Sequence, residues 1–425
     1  MPVGQAAQSP DSLTACRPIL LGCLKDFVYL CGVKWLKQIL SRFGSMRARV
    51  ALAVVCGVVM LYLTWASDRS PYSIGSEDVL MRHLYLAEKI VGIEDRRLPA
   101  DYLAVNVGYD RQLAPLCDEY GDTLGEREVA NRYRMYRFLD AIKDLNYKAV
   151  LVDVFFDGDR PVPGDTALIE LINGMRDVTV LWHASHRLSP LVHPERVSSG
   201  DYTVNIYEDD FVKYLYVDGS GRESVALRTY ASACDDGKTP HGFLHQKTLT
   251  LPLDITMREQ VHTDGTMEWY NLGSDLLSDG AEETLPRLVD GRIVVIGDYV
   301  ELDRHGTYVG ELSGPAIHIN AIDALRRGLD KLNVLEGAVM YVAYVCICLI
   351  LLCGMTIWRR FRVRQGSLLE YLLNFVSFSL YLCLLEIILY ICFGKFHDAF
   401  LVTVFLSVFT LFCQQLNKQY PLCQE

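Results

Sequence analysis

The stretch "YKAVLVDVFFDGD", Tyr147 to Asp159, decides the fold class of this 425-residue chain. Its apolar run predicts a buried strand, and its acidic end predicts a turn. The next segment, "DTALIELINGMRD" (165–177), has helical spacing, and "VTVLWHA" (178–184) is typical of another strand. Only a crossover helix returns the chain for parallel pairing. The order therefore predicts an α/β domain with a largely parallel or mixed sheet flanked by helices.

The same alternation continues on both sides of this unit. The segment "DYLAVNVGYD" (101–110) predicts a buried strand, and "REVANRYRMYRFLDAIKDLN" (127–146) predicts a long helix. Between them, "RQLAPLCDEYGDTLGERE" (111–128) is predicted to be a loop. Late in the domain, "GRIVVIGDYV" (291–300) predicts a strongly apolar strand, and "GPAIHINAIDALRRG" (314–328) predicts the helix that follows it.

Four apolar runs are long enough to cross a membrane. They cover residues 50–67 and about 337–358, 371–393 and 399–416. The predicted division is a cytoplasmic leader (1–49), a first transmembrane helix (50–67), an extracytoplasmic domain (68–335), three transmembrane helices (336–417) and a cytoplasmic tail (418–425).

Basic residues near the ends of the apolar runs predict the orientation. Several precede the first run, up to Arg49, and "RRFRVR" (359–364) follows the second, whereas "GKFHDA" (394–399) is short and weakly charged. Both termini are therefore expected in the cytoplasm. The leader is too long for a typical cleaved signal peptide. It resembles an amphipathic helix, lying either on the inner leaflet or against the protein's own helices.

Charge and cysteine usage differ between the domain and the rest of the chain. Segment 68–335 carries 28 basic and 45 acidic residues, whereas the remainder has 13 and 7. An acidic domain makes nucleic acid an unlikely partner. The charge keeps the domain soluble, and it also favours cationic ligands. Of 13 cysteines only Cys117 and Cys234 lie in the domain, where they are expected either as one disulfide or as two thiols.

Two motifs resemble the type-2 CHASE family, extracellular sensory domains of bacterial cyclases and kinases. One is "YKAVLVDVFFDGD" with "DTALIELIN", and the other is "DGRIVVIGDYVELDRHGTYVGELSGPAIHINAIDALRRG" (290–328). The resemblance covers about Asp78 to Cys413. The matching positions are Asp153, Phe156, Gly297, Asp303, Thr307, Gly314, His318, Asn320, Ala321 and Leu325.

The resemblance implies a sensory module in a bacterial inner (plasma) membrane, with one helix before the domain and three after it. The chain departs from the family where Tyr308 replaces a proline and where the first strand ends at Gly108-Tyr109-Asp110 rather than in paired acids. The family usually continues into a kinase or cyclase, whereas this chain stops at "NKQYPLCQE". The expected partners are therefore the bilayer, an extracytoplasmic ligand and a separate signalling or membrane protein.

Acidic residues follow the predicted strand ends and are expected to share one edge of the sheet. The set comprises Asp110, Asp153, Asp157, Asp159, Asp298 and Asp303. Clustered carboxylates bind Ca²⁺ or a cationic ligand. The alternative is ordinary turn and cap chemistry, for which aspartate is favoured.

His305 and His318 raise the alternative of an extracytoplasmic hydrolase, because acid–base catalysis needs a histidine beside a carboxylate. No catalytic or cofactor-binding motif occurs in the sequence, so the expectation is a non-enzyme without a cofactor. His318 and Asn320 are predicted either to contact a ligand or to bind neighbouring backbone within a helix that starts at Pro315. Glu386, inside the third apolar run, is expected to contact Tyr381 or Tyr390 and to support helix association.

Overall fold

The computed structural model describes residues 41–70, 76–117, 123–183, 187–200, 202–204, 210–234, 245–354 and 368–420. Most of the predicted amphipathic leader and the whole basic segment 359–364 lie outside these residues. The chain forms two compact units. A helical unit comprises Met1–Leu61, Met340–Tyr381 and Val404–Glu425, and an α/β unit comprises Tyr62–Val339 and Leu382–Thr403.

Helices and strands alternate through much of the described chain. The helices are α1 (Met46–Asp68), α2 (Ser76–Ile90), α3 (Arg132–Ile142), α4 (Asp165–Gly174), α5 (Val225–Cys234), α6 (Leu285–Val289), α7 (Gly314–Arg326), α8 (Val334–Leu352), α9 (Leu368–Phe393) and α10 (Phe400–Gln419). The strands are β1 (Tyr102–Asn106), β2 (Arg111–Cys117), β3 (Thr123–Ala130), β4 (Ala149–Val152), β5 (Val178–Trp182), β6 (Val197–Ser199), β7 (Tyr202–Val204), β8 (Phe211–Leu215), β9 (Thr248–Thr250), β10 (Tyr270–Asn271), β11 (Ile293–Gly297), β12 (Arg304–His305) and β13 (Leu312–Ser313).

The main sheet confirms the predicted fold class. Its strand order is β10-β1-β11-β4-β5-β6, and every pair in it is parallel. β1, β4 and β11 are buried along their whole length, which their continuous apolar sequences require. Helices cover both faces of the sheet: Phe138 of α3 and Leu168 of α4 belong to one apolar cluster, and Val225 of α5 and Ile319 of α7 belong to the other.

The predicted loop 111–128 is wrong, because this region contains the antiparallel pair β2 and β3. Most β3 residues are exposed, and in β2 the small Ala114 is buried while Leu113 is exposed, so the sequence of the pair lacks the alternating apolar pattern of a half-buried strand. Pro115 lies within β2, which also argues against a strand at the level of sequence. The following helix consequently begins at Arg132, where the side chain of Asn131 accepts the N–H of Arg134 as an N-cap.

A second, antiparallel sheet has the order β7-β8-β9. β8 is its central strand, and it pairs Tyr214 with Tyr202 of β7 and with Leu249 of β9. Its residues Phe211 to Tyr214 are all buried, so successive side chains of β8 contact protein on two opposite faces.

Four helices of the described residues are long and apolar enough to cross a membrane. They are α1, α8, α9 and α10. In the helical unit, the buried Arg49 near the start of α1 donates to the carbonyl of Leu352 at the end of α8 and to Asn417 Oδ1, 2.7 Å away in α10. This arrangement places the start of α1 beside the ends of α8 and α10.

Candidate functional site

The carboxyl ends of the three central strands lie side by side. Asn106 pairs with Gly297, and Ile296 pairs with Val152, so β1, β11 and β4 end at one edge of the sheet. The acids that follow these strands therefore begin from neighbouring backbone positions, as the sequence predicted.

Three of these acids come together, and with two histidines they form what we call the rim site (Asp153, Asp298, Asp303, His305 and His318). The carboxyl group of Asp153 is buried, and its Oδ2 atom has no hydrogen-bond partner among the residues that the structure describes. Burial, followed by repulsion from Asp303 and Asp298, raises the pKa of Asp153 well above its ordinary value. Asp298 is held locally, because its carboxylate accepts the N–H groups of residues 300, 301 and 302.

His305 is held between an acid and a tyrosine. Its Nε2 lies 2.8 Å from Asp303 Oδ1, and its Nδ1 lies 2.9 Å from the hydroxyl oxygen of Tyr202 on β7. Because a carboxylate accepts hydrogen bonds, Nε2 carries the hydrogen in the neutral ring, and the Tyr202 hydroxyl donates to Nδ1.

His318 repeats this arrangement one strand away. The hydroxyl of Tyr214, the cross-strand partner of Tyr202, lies 2.8 Å from His318 Nδ1, and Asp153 Oδ2 lies 3.6 Å from Nε2. Burial lowers the pKa of His318 to about 3, so the ring is neutral and Tyr214 donates to it. Both nitrogens of each histidine thus face a protein group, a carboxylate on one side and a tyrosine hydroxyl on the other.

Two glycines allow the loops of the rim site to pack closely. A β-carbon at Gly314 would overlap the carboxylate of Asp303, and one at Gly297 would overlap the ring of Pro315. Any larger residue at either position would therefore displace the loop between β11 and α7.

The other predicted rim residues serve separate local structures. Asp110 accepts the N–H of Gly273 at 2.9 Å and pairs with Arg134. Asp157 accepts the N–H of Asp159 at 2.9 Å within its own turn, and the exposed Asp159 carboxylate lies 3.3 Å from Arg187. Of these contacts, only that of Asp157 within its own turn is ordinary turn chemistry.

Asn320 binds backbone, as one of the two sequence interpretations held. Its Oδ1 accepts the N–H of Ile255 at 3.0 Å, and its Nδ2 donates to the carbonyls of Ile255 and Ala316 at 2.8 Å each. His318 instead contacts the side chains of Tyr214 and Asp153. Within the part of the chain that the structure describes, no group of three or more His, Cys, Asp or Glu side chains is arranged to hold a metal ion.

The predicted contacts of Glu386 and the predicted disulfide have different outcomes. Glu386 accepts the backbone N–H of His397 at 3.1 Å, whereas Tyr381 donates to the carbonyl of Ala343 and Tyr390 donates to Glu88. The expected tyrosine contact is therefore wrong.

Cys234 ends α5, but the side chain of Cys117 lies outside the described residues, so the disulfide stays a prediction.

A second group of polar side chains lies in the α/β unit, where the apolar helices begin or end. We call it the charge cluster (Asp68, Lys213, Glu336, Lys395, His397 and Asp398). His397, which lies between α9 and α10, is its centre. Its Nδ1 is 2.7 Å from Asp68 Oδ2 at the end of α1, and its Nε2 is 2.6 Å from Glu336 Oε1 near the start of α8. A ring with a carboxylate at each nitrogen needs both hydrogens. Burial opposes the charge, but these acids outweigh burial and raise the pKa of His397 well above its ordinary value.

Two lysines complete the charge cluster. Lys395 lies 2.8 Å from Glu336 Oε2, and Lys213 of β8 lies 3.0 Å from Asp398 Oδ2. Asp398 also donates its backbone N–H to Asp68 at 2.8 Å. The Lys213 side chain has no exposed surface, so its charge depends entirely on protein partners.

The sequence interpretation misses this group because it treats "GKFHDA" as a weakly charged loop. The signal that was available is the composition of that loop, which has three ionisable residues in six positions between two apolar runs. Asp68 and Glu336 lie at the ends of two further apolar runs, and the sequence interpretation treats them only as the limits of the predicted extracytoplasmic domain.

Strand β8 connects the two polar groups. Tyr214 binds His318 of the rim site, and the preceding residue, Lys213, binds Asp398 of the charge cluster. Consecutive side chains of a strand project to opposite faces. One strand therefore contacts the rim site on one face and the ends of the membrane helices on the other.

The comparisons with known proteins agree with this architecture. The CHASE2 domain family matches residues 78–356, which cover α2 to α8. The sequence predicted a resemblance as far as Cys413, and the match supports it as far as residue 356. No curated protein and no solved structure matches the sequence. The fold shows an α/β unit followed by apolar helices, and the match, which covers about two thirds of the sequence, shows that the chain belongs to the CHASE2 domain family of sensory domains.

Proposed function

We propose that this protein is a membrane-anchored sensor. Its α/β unit detects a ligand or partner outside the cytoplasm, and the membrane helices pass a conformational change to a separate signalling partner. The observation that carries the proposal is the pair of adjacent β8 contacts, Tyr214 to the rim site and Lys213 to the charge cluster. A shift of β8 would alter the partners of Asp68 and Glu336, which lie on the two helices that flank the domain in sequence.

The proposed setting is the inner membrane of a bacterium, with both termini in the cytoplasm. The basic residues before α1 and after α8 support this orientation. The contacts of α1 and α8 also support opposite directions of these two helices through the membrane. His397 joins the end of α1 to the start of α8, and Arg49 joins the start of α1 to the end of α8.

Protease protection tests the topology. A cleavage site inserted at Gly219–Gly221, in the exposed turn after β8, is expected to be cut in cells whose outer face is open to protease. Tags at either terminus are expected to stay intact until the membrane is permeabilised. Cleavage of the C-terminal tag in sealed cells would contradict the four-helix topology.

Hydrogen exchange tests the proposed transmission through β8. In Tyr214→Phe the ring stays and the hydroxyl that donates to His318 is lost. We expect amides 397–400 to exchange about fivefold faster, as the loss of one hydrogen bond of about 1 kcal/mol predicts. The measurement is made on the full-length protein in detergent by mass spectrometry.

The matched control is Asp157→Asn, which changes an acid that binds N–H groups of its own turn and lies 4.0 Å from Arg127, with no contact to β8 among the described residues. This variant is expected to leave residues 397–400 unchanged. Faster exchange in α7 alone after Tyr214→Phe, with residues 397–400 unaffected, would show that β8 does not couple the two polar groups.

A further inference from the structure

A cleft beside the charge cluster has the composition of a binding site. It encloses about 170 Å³ and is formed by α2, residues 93–96, residues 253–254, Tyr308 and the end of α9 with Phe396. Pockets for drug-sized ligands measure roughly 300–1,000 Å³, so the occupant of this cleft would be a small molecule or a single chemical group.

Aromatic rings form two of its walls. Tyr390 and Phe396 stack with their centres 4.4 Å apart, and Tyr85 meets Tyr308 edge to face at 6.5 Å. The faces of such rings attract cations. Lys89 already uses this attraction, because its ammonium lies 4.9 Å from the ring centre of Tyr85.

Among the described residues, two carboxylates of the cleft have no ion-pair partner: the exposed Glu94 and the half-buried Glu88. Asp95 binds Lys89 at 2.5 Å, and Asp254 binds Arg96 and Arg327 at 3.1 and 2.9 Å. The half-buried Glu88 accepts a hydrogen bond from the Tyr390 hydroxyl at 3.2 Å, and among the described residues it has no ion-pair partner.

We propose that the cleft binds a small organic ammonium ion, with Glu88 as its counter-ion and the Tyr390–Phe396 pair as its aromatic wall. The lining has four acidic residues and two basic ones, and both bases are already paired with acids, so an anion is disfavoured. The ammonium group belongs either to a free solute or to a lipid headgroup, because Tyr390 lies in a membrane helix.

This inference rests on the proposed sensor function and names a ligand class for it. Phe396 directly precedes His397, whose ring lies between Asp68 and Glu336. An ion seated against Phe396 would therefore act within one residue of the centre of the charge cluster.

Choline is the probe, and 3,3-dimethyl-1-butanol is its uncharged analogue. The full-length protein is placed in phosphatidylglycerol nanodiscs, and its thermal unfolding midpoint is followed at constant ionic strength. Choline is expected to raise the midpoint in a saturable way, because a ligand that binds only the folded state stabilises it. The uncharged analogue is expected to have no saturable effect.

Glu88→Gln keeps a side-chain oxygen for Tyr390 but removes the charge. It is expected to weaken choline binding about tenfold or more, as is Phe396→Leu, which removes one aromatic face. Glu259→Gln removes an equal charge from an exposed position outside the cleft and is expected to leave binding unchanged.

Phosphatidylcholine nanodiscs distinguish the two sources of the ion. If a headgroup is the ligand, wild type gains stability over Glu88→Gln in these discs without added choline. If a free solute is the ligand, this gain appears only when choline is added. No stabilisation from either source, or equal stabilisation of Glu88→Gln, would overturn the site. If amides 397–400 still exchange faster in Tyr214→Phe, the sensor proposal would stand even though the ammonium site is rejected.

Discussion

Lys213→Met is expected to lower the free energy of unfolding by about 3–5 kcal/mol, the cost of removing one partner from a buried ion pair. The Lys213 ammonium lies 3.0 Å from Asp398 Oδ2 and has no exposed surface. Methionine fills much of the space but leaves Asp398 buried without its cation. Thermal and denaturant unfolding of the full-length protein in detergent measure the loss.

Two comparisons separate the ion pair from other effects of the substitution. In Lys213→Met/Asp398→Asn the orphaned charge is also removed, so most of the stability is expected to return. Lys143→Met breaks the exposed 2.8 Å pair with Asp140 and is expected to cost less than about 1 kcal/mol. Equal costs for Lys213→Met and Lys143→Met would show that the buried pair is not a major support of the fold.

His397→Gln is expected to produce the second large effect, a loss of about 3–5 kcal/mol at neutral pH. The substitution removes the cation between Asp68 and Glu336, which lie 2.7 and 2.6 Å from its two ring nitrogens. The carboxylates would then face each other in a buried site, with Lys395 paired to Glu336 alone.

The same histidine is expected to make stability depend on pH. The pKa of His397 in the folded protein lies well above its ordinary value, so the unfolded chain releases this proton at a lower pH than the folded one. Its stabilisation is complete below the unfolded pKa of about 6.5 and disappears as the pH rises through the folded pKa.

Unfolding midpoints measured from neutral to alkaline pH test this dependence. The decline of the wild type is expected to exceed that of His397→Gln. The other charged groups around the ring (Asp68, Lys213, Glu336, Glu386, Lys395 and Asp398) remain in both proteins, so the difference reports the loss of the histidine together with its effect on the titration of these neighbours. His193→Gln, at an exposed histidine paired with Glu195, is expected to follow the wild type. Identical slopes in wild type and His397→Gln would contradict a charged His397.

The two polar groups suggest how a small movement could reach the membrane. Buried charges tolerate few arrangements, because each carboxylate must keep a hydrogen-bonding partner. A shift of β8 that separates Lys213 from Asp398 would require a new partner for Asp398, whose backbone is bound to Asp68 at the end of α1. The charge cluster therefore favours discrete states of the helix ends over continuous bending.

The sequence by itself determined the central strands, the membrane helices and the fold class, but not the β2–β3 pair. The apolar runs 149–152 and 293–296 are long enough for a strand and have no polar alternation, which requires burial on both faces and hence a parallel sheet. The four apolar helices follow from length and composition alone. The edge shared by Asp153 and Asp298 also followed, because parallel strands end on the same side.

Only the tertiary structure decided which side chains meet. Asp110 and Asp153 follow β1 and β4, the two strands that flank β11, yet Asp110 pairs with Arg134 and Asp153 lies beside His318. The charge cluster joins residues as distant in sequence as Asp68 and His397. Hydrophobic periodicity shows which side chains of one segment are buried and which are exposed. A polar contact instead depends on how several segments pack together. For that reason the sequence identified the central strands and the apolar helices, and only the fold shows which polar side chains of the sensory domain contact the ends of those helices.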